Sequence, residues 1–135
     1  MKLSVKAKYG LSACIYLAEN YENGNLTVSQ LSEMVGTTDK FLEQIMSMLK
    51  KSDVVTSTRG AFGGYVLTKS PNKTTVGEIL RSVEDNLQII DCLDTEHKCT
   101  KSCKSYYVWS NLHKTINDFL DSVTLDSLIK GENNG

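Results

Sequence analysis

Residues 54–70, VVTSTRGAFGGYVLTKS, constrain the fold more than any other stretch of the chain. Two β-prone runs, Val54 to Ser57 and Tyr65 to Thr68, flank a turn containing Gly60, Gly63 and Gly64, a pattern that predicts a β-hairpin. Three segments of helical periodicity precede it. From about Val5 to Asn20, residues Ala7, Leu11, Cys14, Ile15 and Ala18 share one face, and Asn23-Gly24-Asn25 ends the run. Thr27 can cap a second, short helix that turns Val28, Leu31 and Val35 inward with Met34 beside them, and Gly36 stops it. Thr37 or Thr38 caps a third helix reaching about Lys51. Helix, helix, turn, helix, hairpin is the order of a winged helix-turn-helix domain, so the expected fold is mainly α with a small β-hairpin wing.

The single proline, Pro71, separates this region from the C-terminal half of the chain. Thr74 or Thr75 caps a helix through about Glu84 that buries Val76, Ile79, Leu80 and Val83. Beyond a loop, Tyr106, Trp109, Leu112, Ile116, Phe119 and Val123 recur at spacings of three and four, giving a long helix from about Ser105 to Val123. Thr124 then caps a short helix through about Leu128. The expected division is a winged domain at 1–70, a linker helix, loop and long helix at 71–130, and a disordered tail at 131–135. The stripe on the long helix is too extensive for a chain of 135 residues to bury alone, which points to pairing of two copies.

Composition narrows the class. With 40% apolar residues the chain supports one compact core. No run of 18 or more apolar residues suggests a membrane span, and the opening MKLSVKAKYG has no apolar stretch of a secretory signal. A cytoplasmic protein is expected. The formal net charge is −1, but residues 1–70 carry eight Lys/Arg against six Asp/Glu, and residues 71–135 carry seven against ten. Phosphate binding needs local positive charge, not a basic whole protein. No Cys-x-x-Cys pair, βαβ pattern or nucleophile–base arrangement stands out, so a small redox enzyme built on Cys99 and Cys103 has little support and no catalytic residues are expected.

The third helix is chemically two-sided. Phe41, Leu42, Ile45, Met48 and Leu49 form a core stripe, while Lys40, Glu43, Gln44, Ser47 and Lys51 occupy the opposite side. An α-helix fits the major groove of double-stranded DNA. There glutamate can accept from cytosine, glutamine can pair bidentately with adenine, and lysine can reach guanine or phosphate. Any solvated helix also carries such residues, so the helix alone divides evenly between the two readings. The hairpin tilts the balance, because its tip places Arg59 on a glycine-rich turn suited to a narrow minor groove. Lys2, Lys6, Lys8, Lys50 and Lys51 could touch phosphates, although each by itself is more often a plain surface lysine.

Three of the four cysteines, Cys92, Cys99 and Cys103, fall within twelve residues, separated by six and then three positions. Clustered thiols in a chain without an export signal read as metal ligands or redox groups. Thiolates are soft donors for an iron–sulfur cluster, which ranks first. Zinc or a metal-free thiol switch ranks second, and inert cysteines last. His97 and His113 could each supply a fourth ligand, against the more frequent role of surface histidine. Cys14, on the apolar face of the first helix, reads as a small buried hydrophobe.

The segments MKLSVKAKYGL, FLEQIMSMLKKSDVV, STRGAFGGYVL, TVGEILRSVE and SVTLDSL together resemble the Rrf-two-type transcription regulators, over residues 1 to about 128. That family includes IscR-, NsrR- and CymR-type members. The resemblance implies a homodimer joined through the long C-terminal helix and an imperfectly palindromic operator. It implies base-reading residues at Lys40, Glu43 and Gln44, with Arg59 as the wing arginine. For the cluster-binding members it implies a [2Fe–2S] or [4Fe–4S] centre held by three cysteines ahead of a Trp-containing helix, here Trp109. Two departures stand out. Tyr106 occupies the place of the IscR type's histidine ligand, and Lys8 the place of the acidic ligand of the NsrR type. The CymR type, controlled without a cluster, is the alternative.

Overall fold

The computed structural model describes residues 3–61, 63–84, 87 and 104–131. The expected disordered tail therefore lies outside the described residues, apart from Gly131. Six α-helices and one hairpin are present among these residues. They are α1 (Val5–Glu19), α2 (Val28–Val35), α3 (Asp39–Lys51), β1 (Val55–Thr58), β2 (Gly64–Leu67), α4 (Val76–Val83), α5 (Tyr106–Ser122) and α6 (Leu125–Ile129). Short 3-10 turns stand at Tyr21–Asn23 and Pro71–Lys73. The mainly helical, winged architecture expected from the sequence is what forms.

The helix boundaries arise from local chemistry. Thr27 and Gln30 form a reciprocal capping box at the start of α2, with Gln30 N–H donating to Thr27 Oγ1 at 3.1 Å and Thr27 N–H to Gln30 Oε1 at 2.9 Å. Gly36 ends that helix at φ 89°, in the left-handed region open to glycine. Of the two threonines that could start α3, Thr38 does so, its Oγ1 accepting from Phe41 N–H at 3.1 Å. Thr75 and Thr124 cap α4 and α6 in the same way. At α1 the N-terminal group is satisfied from a distance: Ser4 N–H and Oγ–H both donate to Glu84, 80 residues downstream.

The core joins both sides of Pro71. Leu31, Leu42, Ile45, Met46, Leu49, Ile79 and Leu125 are fully buried in one cluster with Cys14, Leu17 and Val55. Each large apolar side chain so buried contributes about 1.5–3 kcal/mol. Helix α1 is the central element, packing against α2, α3, α4 and α6. Gly10 permits a close approach within this packing, since a Cβ there would lie 3.4 Å from Ile45 and 3.5 Å from Val83. Met46 belongs to the core although the sequence pattern left it out, while Phe41 and Met48 sit half-buried at its edge. Phe41 packs edge-on against Tyr9, with ring centroids 6.0 Å apart.

The stripe on α5 departs from expectation. It is not a single inward face, because no residue of the helix is buried and Leu112 and Phe119 are 42% and 63% exposed. Tyr106, Trp109, Ile116 and Leu120 are half-buried toward the molecule, whereas Val108, Leu112 and Phe119 form a second, outward ridge. Val123, just past the helix, is the stripe residue that joins the core.

Candidate nucleic-acid interface

The second and third helices are locked together before any outward residue is considered. The buried Ser32 hydroxyl on α2 hydrogen-bonds the carboxylate of Asp39 at the start of α3. With Gly36 fixing the turn, this sets the angle at which α3 leaves α2. Leu42, Ile45, Met46 and Leu49 then hold the inner side of α3 in the core. Lys40, Glu43, Gln44, Ser47 and Lys51, at spacings of three, four, seven and eleven, are all exposed on the other side, with Lys50 on the flank. Among the described residues Lys40, Glu43, Gln44, Lys50, Lys51 and Arg59 make no side-chain hydrogen bond or ion pair within the chain. Elsewhere Lys69 pairs with Glu78, Arg81 with Asp121 and Lys114 with Asp118, while Lys73 and Lys104 are also unpaired among the described residues.

The wing is hung on the body by contacts that the sequence did not reveal. Its strands pair Val55 with Leu67, Thr56 with Val66, Ser57 with Tyr65 and Thr58 with Gly64. Tyr65 also exchanges two backbone hydrogen bonds with Leu26, at 2.8 and 3.0 Å, an isolated antiparallel bridge that ties the segment before α2 to the outer side of the wing. Gly64 makes that possible, because a Cβ there would strike the carbonyl of Leu26. The Asn25 side chain donates to Thr58 Oγ1, adding a second tie. At the tip, Gly60 has φ 106° and its carbonyl accepts from Gly63 N–H at 3.0 Å, leaving Arg59 exposed at the shoulder of the turn. Leu26 lies between two polar residues, and nothing local marks it as a strand partner.

Of the remaining sequence-derived candidates, Lys2, Cys92, Cys99, Cys103 and His97 lie outside the described residues. His113 is on α5, half-buried, with its ring nitrogens 3.4–3.5 Å from the Asn117 amide. No cluster of three or more His, Cys, Asp or Glu side chains forms among the described residues. Cys14 is completely buried in α1, and burial pushes its thiol up from 9.0 to about 12, so it stays neutral and inert. Among the described residues no helix is long and apolar enough to cross a membrane.

A helix held outward by a locked helix-turn-helix, next to an anchored wing, defines a winged helix-turn-helix transcription regulator. The Rrf2 family, described as iron-dependent transcriptional regulators, matches residues 3–131, and the chain belongs to that family. It is 32% identical to the helix-turn-helix regulator IscR of Pectobacterium carotovorum, over 98% of this chain and 81% of that one. It is also 32% identical to CymR of Bacillus subtilis, over 95% and 89%. Among solved structures, the B. subtilis global cysteine regulator CymR superimposes with a TM-score of 0.81 at 31% identity, covering 95% of both chains. The T. potens IscR structure gives 0.77 at 32%, over 98% of this chain and 89% of that one. The relatives carry the names of transcription regulators, not of enzymes.

Proposed function

We propose that the protein is a homodimeric, sequence-specific regulator. Each copy lays α3 in a major groove and Arg59 in the adjoining minor groove of an imperfect palindrome. The observation that carries this reading is the unpaired polar face of α3, where Lys40, Glu43 and Gln44 spend none of their side-chain hydrogen-bonding capacity inside the described fold. Lys50 and Lys51, with Lys2, supply phosphate contacts. Residues 1–70 serve as the reading unit and residues 71–130 as the pairing and sensing unit.

Pairing is supported by two apolar surfaces that one copy leaves open. The outer ridge of α5 exposes Val108, Leu112 and Phe119. A groove of about 310 Å³ at the start of α1 is lined by Leu3, Val5, Ala7, Leu11 and Leu80. Such surfaces are costly in water and are covered in a twofold dimer.

The signal enters through Cys92, Cys99 and Cys103. Three thiolates suit an iron–sulfur cluster of the [2Fe–2S] or [4Fe–4S] kind, whose assembly or oxidation changes the charge and shape of that segment. His97 and His113 remain the candidates for a fourth ligand. Kinship with IscR supports this reading, in a protein that acts in the cytoplasm. Kinship with CymR supports a second one, as do Tyr106 and Lys8, which stand where cluster-binding types carry a ligand. There the same DNA-binding regulator is controlled by a thiol, zinc or a protein partner.

The test is anaerobic purification with iron and sulfide analysis, then binding of loaded and metal-free protein to one operator at one salt concentration. Bound iron and sulfide with a difference in affinity of about tenfold is expected. Iron-free protein that binds equally well in both preparations would move the conclusion to the second reading. Absence of operator binding in every form would contradict both.

A further inference from the structure

We propose that Arg81 of α4, with Asp121 and Asn117 of α5, is a fulcrum that sets the angle of the long helix and thereby selects the half-site spacing of the operator. The inference rests on the reading that α5 pairs two copies.

Among the described elements, helix α5 packs mainly against α4. The chain just beyond it is pinned by backbone bonds, Val76 N–H to Val123 carbonyl at 2.9 Å and Leu125 N–H to Thr74 carbonyl at 3.0 Å. Immediately before that anchor, the Arg81 guanidinium forks across the interhelical gap. Nη1 donates to Asp121 Oδ1 at 2.6 Å, while Nη2 donates to Asp121 Oδ2 at 3.1 Å and to Asn117 Oδ1 at 2.8 Å. Asn117 is itself held, its Nδ2 donating to the His113 carbonyl at 2.9 Å. Gly77 leaves room for this fork, since a Cβ there would meet the Asp121 carboxylate and lie 2.8 Å from Arg81 Nη1, so that these side chains would have to shift.

Arg81 and Asp121 side chains are 40% and 50% exposed, so the pair adds little to stability. A planar guanidinium bonded at three points restrains direction instead. Beyond Asn117 the helix runs on toward Tyr106 for about 17 Å, its inner residues Tyr106, Trp109 and Ile116 only half-buried. A swing of about 10° at the clamp would move that far end by about 3 Å, comparable with the rise of one base pair. In a twofold dimer such a swing is doubled, and the two α3 helices change their separation accordingly.

The experiment uses the full chain and a series of palindromic operators whose centre is shortened or lengthened one base pair at a time. Wild-type protein, dimeric by light scattering, is expected to prefer one spacing by about tenfold over its neighbours. Arg81→Lys keeps the charge but loses the fork. It is expected to remain dimeric with an unchanged melting temperature, to keep its base preference within each half-site, and to flatten the spacing preference to about threefold or less. Asn117→Ala, which removes one strand of the clamp, should show the same trend in milder form. Folded, dimeric Arg81→Lys and Asn117→Ala that both keep the wild-type spacing profile would overturn the fulcrum while leaving the pairing intact. A monomeric wild type would overturn the pairing itself, and the fulcrum with it.

Discussion

Cys14 shows how a residue's environment decides its chemistry. It is a cysteine like Cys92, Cys99 and Cys103, yet it lies with Leu17 and Ile45 in the core cluster with none of its surface exposed. Burial raises its thiol from 9.0 to about 12, so the folded state holds a proton that the unfolded chain releases at lower pH. Below about pH 9 the contribution is therefore fully present, and between about 9 and 12 stability falls as pH rises, by at most ~1.4 kcal/mol per unit. Alkylation followed by peptide mass spectrometry should find Cys14 unmodified in native protein and modified only after denaturation. Rapid labelling of native Cys14 would contradict its burial. This residue was legible in the sequence because it sits on a helical apolar face. Leu26 and Gly64 were not, because the bond they make possible joins segments far apart in the chain.

At the scale of elements, capping and termination were written locally. Thr27, Gly36, Thr75 and Thr124 mark their helices at the positions their side chains allow. The choice of Thr38 over Thr37 was open, since both are chemically fit and only the backbone path decides between them. Helix α5 was legible as a helix but not as two faces. Residues at spacings of three and four merge into one stripe when neither the core nor a partner has been located. The structure separates Trp109 and Ile116, which lean on the molecule, from Val108, Leu112 and Phe119, which lean away. In the proposed dimer, replacing Phe119 with Asp bears on association and not on folding. Sedimentation should find the F119D protein shifted toward monomer, with its dimer dissociation constant raised at least about tenfold and its circular dichroism unchanged. An unchanged dimer would remove the outer ridge from the pairing surface.

For the whole molecule, charge is unevenly distributed along the chain. The half with the positive balance carries α3 and the wing, and the more acidic half carries α5 and the three clustered cysteines. The core nevertheless spans both, with α6 and α4 packed on α1, and α4 touching both α3 and α5, so a change at α5 is mechanically connected to α3. The order of elements was legible because caps, glycines and periodicity agree at each step. The exposure of α3 was legible too. The packing that aims it, from Ser32 to Asp39 and from Leu26 to Tyr65, was not, because tertiary contacts leave no local pattern. Family membership supplies the regulatory class, and the candidate residues supply the contacts through which it would act.

The central claim, that the free polar face of α3 and the wing arginine read a duplex, is tested most directly by titrating wild-type, Gln44→Ala and Arg59→Ala proteins against a selected operator and its single-base variants at fixed salt. Gln44→Ala is predicted to lose about 1–3 kcal/mol on the operator and to stop distinguishing one base position, while Arg59→Ala loses affinity most where the minor groove is narrow. Two folded variants that bind the operator and its base variants as the wild type does would contradict it.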